Sequence, residues 1–237
     1  ALPRLVLQTI CVAAVVFAAG DARLLPDAVP QAVERAALIL AGVWFVNLVN
    51  FIDGLDWITV AGIVPPTAAI ALFGLWIGRF DLAVAAAALC GAMLGFAPFN
   101  KPVARLFLGD VGSLPIGLLL AYLLYGLAQS GYLAAAILLP LHACADATVT
   151  LIRRLARGER VWEAHRTHFY QRATDNGFTV MEVVGRVFVL NLVLAALAAV
   201  TIARPDGATT GAALVAGLGL VTLLLRSFAR PRKAVTA

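Results

Sequence analysis

Apolar positions fill eight long stretches of this chain, and polar positions crowd into the short segments between them. The stretches run roughly over Leu2–Ala19, Ala32–Ile52, Trp57–Ile77, Leu82–Phe96, Val111–Ala128, Tyr132–Ile152, Phe178–Ile202 and Gly211–Phe228. Most approach the roughly 20 residues that a helix needs to cross a bilayer. Within hydrocarbon every backbone N–H and C=O must find a partner inside the protein, so only helices and closed barrels span it. Long runs without strict alternation exclude a barrel. The pattern therefore predicts an all-α, polytopic membrane helix bundle of about eight transmembrane helices, forming one membrane-embedded domain over residues 1–237. Leu82–Phe96 is short, and is expected to tilt less or to extend into a loop.

Composition agrees with this: 62% of residues are apolar and the mean hydropathy is +0.94, against about half apolar in a soluble domain. The formal charge of +5 matters less than its distribution. Alternating the spans puts Arg4, Lys101, Arg105, Arg153, Arg154, Arg157, Arg160, Arg166, Arg172, Arg226, Arg230, Arg232 and Lys233 on one side. Only Arg23, Arg35, Arg79 and Arg204 fall on the other, with Arg186 inside a span. The positive-inside rule makes the richer side cytoplasmic, with both termini there. The basic charge needs no nucleic acid to explain it, and no nucleic-acid motif is present. Cys11, Cys90 and Cys144 all lie in apolar stretches and read as packing residues rather than a disulfide framework. The small-residue pairs Gly74/Gly78 and Gly91/Gly95 suit close helix approach. No internal repeat is evident, and Leu2–Ala19 lacks the form of a signal peptide.

Three polar clusters land on the basic side. In NLVNFIDGLD, Asn47, Asn50, Asp53 and Asp56 recur every three residues, which on a helix makes one ridge. Carboxylates and amides next to hydrocarbon are costly unless they bind something or each other; the plainer alternative is a polar helix end at the membrane surface. In FLGDVGS, Asp110 lies among glycines just before an apolar helix. It suits a Mg²⁺ shared with phosphate at a helix N-terminus, or else Asp110 or Ser113 caps that helix. The segment 153–177 is the longest hydrophilic loop and carries HRTHFYQRA. If helical, His165 and His168 share a face. Two histidines without a third ligand are weak for zinc, whereas imidazoles and the Arg166 and Arg172 guanidiniums can hold phosphate oxygens. Asp146 is an acid inside a span that could pair with Arg153, Arg154 or the loop histidines. Glu182 and Arg186, four apart, are expected to pair with each other.

NLVNFIDGLD, FLGDVGSLPIG and HRTHFYQ, in that order on one face, resemble the polyprenyl-phosphate N-acetylhexosamine-1-phosphate transferases. This is glycosyltransferase family 4, which also contains the phospho-N-acetylmuramoyl-pentapeptide transferase of peptidoglycan synthesis. The resemblance covers nearly the whole chain. The loop WEAHRTHFYQRA looks more like the branch that initiates O-antigen or related surface glycans. The resemblance implies transfer of a sugar 1-phosphate from a UDP-sugar to undecaprenyl phosphate with release of UMP, at the cytoplasmic face of a bacterial inner membrane. It also implies roles by position: Asp110 on Mg²⁺ (or Mn²⁺), Phe107 near the uracil, and Asn100 lining the nucleotide pocket. Asn50, Asp53 and Asp56 would surround nucleotide and metal, and His165 and His168 would lie near the diphosphate with Arg166 beside them. The family also carries an adjacent Asp-Asp pair upstream of what is here the first span, and this chain has none. The expectation is that two or three spans precede Ala1 in the parent protein and that the 237 residues alone are inactive. The rival class is a transporter of a small solute or ion, to which Pro65-Pro66, as an interruption of the third span, lends some support.

Overall fold

The computed structural model describes residues 2–20, 23–160 and 165–232. Among these residues the secondary structure is helical, in ten segments: α1 (Leu2–Ala18), α2 (Gln31–Ile52), α3 (Ile58–Trp76), α4 (Phe80–Asn100), α5 (Gly109–Gln129), α6 (Leu133–Leu138), α7 (Leu141–Ala156), α8 (Phe169–Asp175), α9 (Val180–Ala203) and α10 (Gly207–Phe228). Six of them, α2, α3, α4, α5, α9 and α10, are long and apolar enough to cross a membrane, and α1 is a shorter apolar helix. This is the polytopic bundle that the pattern predicts, with three changes.

The expected sixth span is not one helix. Pro140 has no N–H to give to the preceding turn, and the chain breaks there into α6 and α7. The expected fourth span is longer than the apolar run, because α4 continues through Ala97, Pro98, Phe99 and Asn100. The loop 153–177 is partly helical: α7 runs on to Ala156, and α8 forms after His168. Residues 161–164 of that loop lie outside the described residues.

Pro65 and Pro66 do not interrupt α3, which runs unbroken through both. A proline at position 65 orphans the carbonyl of residue 61, one turn back. Asn191 of α9 donates its side-chain N–H to that carbonyl at 3.0 Å. Thr67 returns its hydroxyl to the Ile63 carbonyl at 2.7 Å. At Pro65 a neighbouring helix thus replaces the bond that the proline removes. The support that an interrupted α3 would give a transporter reading is therefore absent.

α3 is the central post of the bundle, with 67% of its apolar window buried against 22% for both α2 and α10. It packs on α4 and α9, while α2 packs on α1 and α5. A Cβ at Gly74 would stand 2.7 Å from the Ala83 backbone nitrogen, so this glycine is what lets α3 and α4 close up. Gly91 and Gly95 face open space and play no such part. The helix ends alternate as the charge pattern requires. At one end Arg4, the 53–57 turn, the 101–108 loop and α8 meet through side-chain bonds. At the other, Arg79 reaches Ser130 and Gln129 reaches the Ala19 carbonyl. The expected Glu182–Arg186 pair does not form. Arg232 takes Glu182 at 2.7 Å, while Arg186 turns to Ser227 and stacks on Phe178.

Candidate active site at one end of the bundle

The last turn of α2 carries Asn50. Its amide nitrogen donates to Asp110 at 2.9 Å and to the Ser113 hydroxyl at 2.7 Å, both on α5. Arg4 of α1 pairs with the other oxygen of Asp110. Three helices thus meet on one carboxylate. Gly109, with φ of +55°, supplies the left-handed turn from which α5 starts. Asp110 and Ser113 do not cap this helix: the cap position is Leu108, with no side-chain bond to it. Ser113 instead returns its hydroxyl to the Gly109 carbonyl. The Asp110 side chain is half exposed (51%).

The four-residue ridge does not form as a unit. α2 ends at Ile52, and helical spacing ends with it. Asn47 faces α1 and exchanges a 3.0 Å bond with Gln8. Asp53 is the residue after the helix, and accepts the Thr59 hydroxyl; its burial raises its pKa above the usual carboxylate value. Asp56 accepts the Ala104 backbone N–H at 3.1 Å. Asn100 is buried and bonds backbone on both sides, accepting from Trp57 N–H and donating to the Leu106 carbonyl at 2.9 Å each. Asp56 and Asn100 knit the 53–57 turn to the 101–108 loop, while Asp53 ties that turn to the start of α3. Phe107, next in that loop, is 70% exposed.

His165 and His168 are not on one helix either. His168 is the residue before α8, yet its ring stacks on His165 with centroids 4.8 Å apart. Its Nδ1 lies 3.1 Å from Asp146 of α7, which settles the partner of that buried acid among those open to it. Tyr170 reaches back from α8 to the Phe51 carbonyl at 3.0 Å, so the histidine pair is fixed against the end of α2. Gly54 makes this seat possible: a Cβ there would stand 2.6 Å from the Gln171 side-chain nitrogen and closer still to the Tyr170 hydroxyl. Partial burial, with His168 and Arg154 nearby, lowers the His165 pKa to about 4. Arg166 is exposed.

Sequence reasoning brought Asn50 and Asp110 together and missed what supports them. Arg4, Ser113, Thr59, Tyr170 and Gly54 carry no spacing signal of their own; Gly54 and Tyr170 could have been found only as parts of the DGLD and HFYQ strings.

A family model described as glycosyl transferase family 4 matches residues 1–128, more than half of the chain. The chain belongs to glycosyl transferase family 4. Relatives extend the match. The phospho-N-acetylmuramoyl-pentapeptide-transferase of Streptococcus gordonii is 41% identical over 87 residues, 37% of this chain and 27% of that protein. The decaprenyl-phosphate N-acetylglucosaminephosphotransferase of Mycobacterium leprae is 31% identical over 209 residues, 76% of this chain and 52% of that protein. The chain thus spans about a quarter of the first relative and about half of the second.

The family implies a divalent cation. Among the described residues, no group of three or more His, Cys, Asp or Glu stands ready to hold one alone. Asp110, half exposed, offers a single carboxylate, one oxygen of which accepts from Asn50 while the other pairs with Arg4. That donor set fits Mg²⁺, which keeps waters and takes its other oxygens from phosphates.

Proposed function

We propose that this family 4 protein transfers an N-acetylhexosamine 1-phosphate from a UDP-sugar to undecaprenyl phosphate at the cytoplasmic face of a bacterial inner membrane, releasing UMP. The observation that carries the reading is the junction of Asn50, Asp110, Ser113 and Arg4 at the same end of the bundle as the stacked histidines. The reaction brings two phosphate-bearing anions together, so the protein must neutralise and position them. An oxygen of the acceptor phosphate attacks the sugar-bearing phosphorus, and the bond to the UMP oxygen breaks.

Asp110 would hold a Mg²⁺ (or Mn²⁺) ion, which would neutralise charge at the diphosphate. Asn50 holds the Asp110 carboxylate in place, and Ser113 in turn holds Asn50. Arg4 and Arg166 add positive charge, His165 offers an imidazole N–H to phosphate oxygens, and His168 offers a lone pair to a phosphate hydroxyl. Exposed Phe107 presents a flat ring suited to a uracil. Asn100 serves it indirectly by fixing the Leu106 carbonyl beside it, Asp56 joins the 53–57 turn to the 101–108 loop, and Asp53 holds that turn to Thr59. The long match to the M. leprae protein, whose name specifies N-acetylglucosamine phosphate transfer, supports an N-acetylhexosamine donor over a muramoyl-pentapeptide. The resemblance of the HRTHFYQ loop to surface-glycan enzymes supports the same choice.

UMP release by the complete protein in nanodiscs, with undecaprenyl phosphate and UDP-N-acetylglucosamine, tests the proposal. Turnover is expected to need Mg²⁺ or Mn²⁺ and to stop on chelation. Asp110→Asn should lower it at least about 100-fold, the order expected for loss of a group stabilising transition-state charge, with thermal unfolding little changed. Near-normal turnover in that variant, or transfer only from a muramoyl-pentapeptide donor, would overturn the corresponding part.

A further inference from the structure

Asp146 lies inside the bundle on α7, with none of its surface exposed. A buried carboxylate persists only where donors surround it. Here they come almost entirely from one place. The Phe169 and Tyr170 backbone N–H groups donate at 3.0 and 3.1 Å, and the Nδ1 of His168 lies at 3.1 Å. Thr150, one turn further along α7, adds its hydroxyl at 3.4 Å. The two backbone groups are orphan donors of the α8 N-terminus, so Asp146 caps that helix from outside.

The third contact does more than a cap requires. The Gln171 backbone N–H also turns to the His168 side chain, but the Asp146 carboxylate only accepts, so the nitrogen 3.1 Å from it is the one that carries the proton. In the neutral ring, Nε2 then keeps its lone pair, and no described residue is bonded to it. The ring has little freedom to turn, because His165 stacks on it at 4.8 Å and Tyr170 at 5.7 Å, with Phe51 at 6.4 Å. The ionisable groups facing Asp146 and the ring are His142 one turn earlier on α7, Arg154 at its end, and His165 and Tyr170 on the loop and α8.

We infer that Asp146 is a positioning residue: it fixes His168 in the Nδ1–H tautomer and leaves Nε2, an acceptor, to take the hydroxyl proton of a monoprotonated phosphate ligand. The catalytic part of this inference rests on the transferase reading; the tautomer part does not. The same logic orients metal-bound and catalytic histidines elsewhere, where loss of the orienting acid lowers activity about 10- to 100-fold or more.

¹⁵N-histidine labelling of the complete protein reads the ring nitrogens of the three histidines of this chain, and the signal lost in His168→Gln is that of His168. His142→Gln and His165→Gln assign the signals. Long-range ¹H–¹⁵N correlations should show His168 protonated at Nδ1. Asp146→Asn should shift it towards the Nε2–H form, because an amide nitrogen can donate to Nδ1, and should lower kcat about 10- to 100-fold with a smaller change in KM. Tyr170→Phe is the structural control. It loosens α8 from Phe51 and should lower thermal stability while leaving the tautomer unchanged. An Nε2–H form in the wild type overturns the inference, as does an unchanged tautomer in Asp146→Asn. A shifted tautomer with unchanged turnover overturns the positioning role. A wild-type protein that transfers no sugar phosphate under any condition sinks the transferase reading instead, and the spectra still decide how His168 is held.

Discussion

Gly54 is the residue on which the two halves of the site come closest. Any side chain there meets Tyr170 and Gln171. Gly54→Ala should push α8 off the end of α2, with an overpacking penalty of about 1–3 kcal/mol. Turnover should fall further than stability, because the histidine pair rides on α8. A thermal unfolding curve beside a turnover assay checks this. His165 gives a second residue-scale prediction. Its folded pKa of about 4 lies below the ordinary 6.5, so the unfolded chain binds more protons between those values. Its contribution to stability is therefore complete above about pH 6.5 and is lost as pH falls towards 4. His165→Gln should flatten that acid decline, and an NMR titration should place the His165 midpoint near 4. Much of this scale was legible: Asn50 and Asp110 were singled out by type and context alone, and they do meet. The wider ridge failed because spacing of three means a shared face only while the helix lasts. Asp53 and Asp56 lie past its end, where Asp53 bonds Thr59 of α3 and Asp56 holds the 101–108 loop at Ala104.

At the scale of the helix, the apolar runs fixed the order of the segments but not their breaks. Pro65-Pro66 and Pro140 look alike as sequence, yet only Pro140 ends a helix. At Pro65 the freed carbonyl finds a partner across the bundle. Ala61 has Asn191, from a helix remote in the chain, and no local pattern reveals that. Asn191 is 3% exposed and would be read from sequence as a polar residue facing a substrate path. Its bond to Ala61 makes it structural. Asn191→Leu should destabilise the bundle by about 1–2 kcal/mol, the range for interhelical bonds in membranes, and should leave KM for the sugar donor unchanged. Retention of full thermal stability would show that α3 needs no such help. The Glu182–Arg186 expectation failed for a related reason. Spacing of four allowed the pair, but the chain end after α10 supplied Arg232 as a nearer partner.

Over the whole molecule, the charge pattern predicted which helix ends gather, and the structure joins them through named bonds. α8 is the element that holds this end together. Tyr170 ties it to α2, Asp146 ties it to α7, and Asn176 ties it to α10 through the Phe228 carbonyl at 2.7 Å and the Arg232 N–H at 3.0 Å. A short helix bound to three others should protect slowly exchanging amides well beyond its length. Hydrogen exchange should find 169–175 far slower than the exposed 101–108 loop. Exchange of 169–175 at the loop's rate would mean that α8 is only loosely laid on the bundle.

The bond from Asn191 to Ala61 also sets an order of events. The two residues lie 130 positions apart, and ribosomes add about 5–20 residues each second, so roughly 7–26 s separate their syntheses. Through that interval α3 stands in the nascent chain with a carbonyl that only a helix not yet made can satisfy. The middle of the protein therefore waits for its end, held meanwhile by water, lipid headgroups or the insertion machinery. Chains halted before residue 191 should show the α3 prolines open to a membrane-confined cross-linker placed at Gly62, and chains halted after α9 should show them closed.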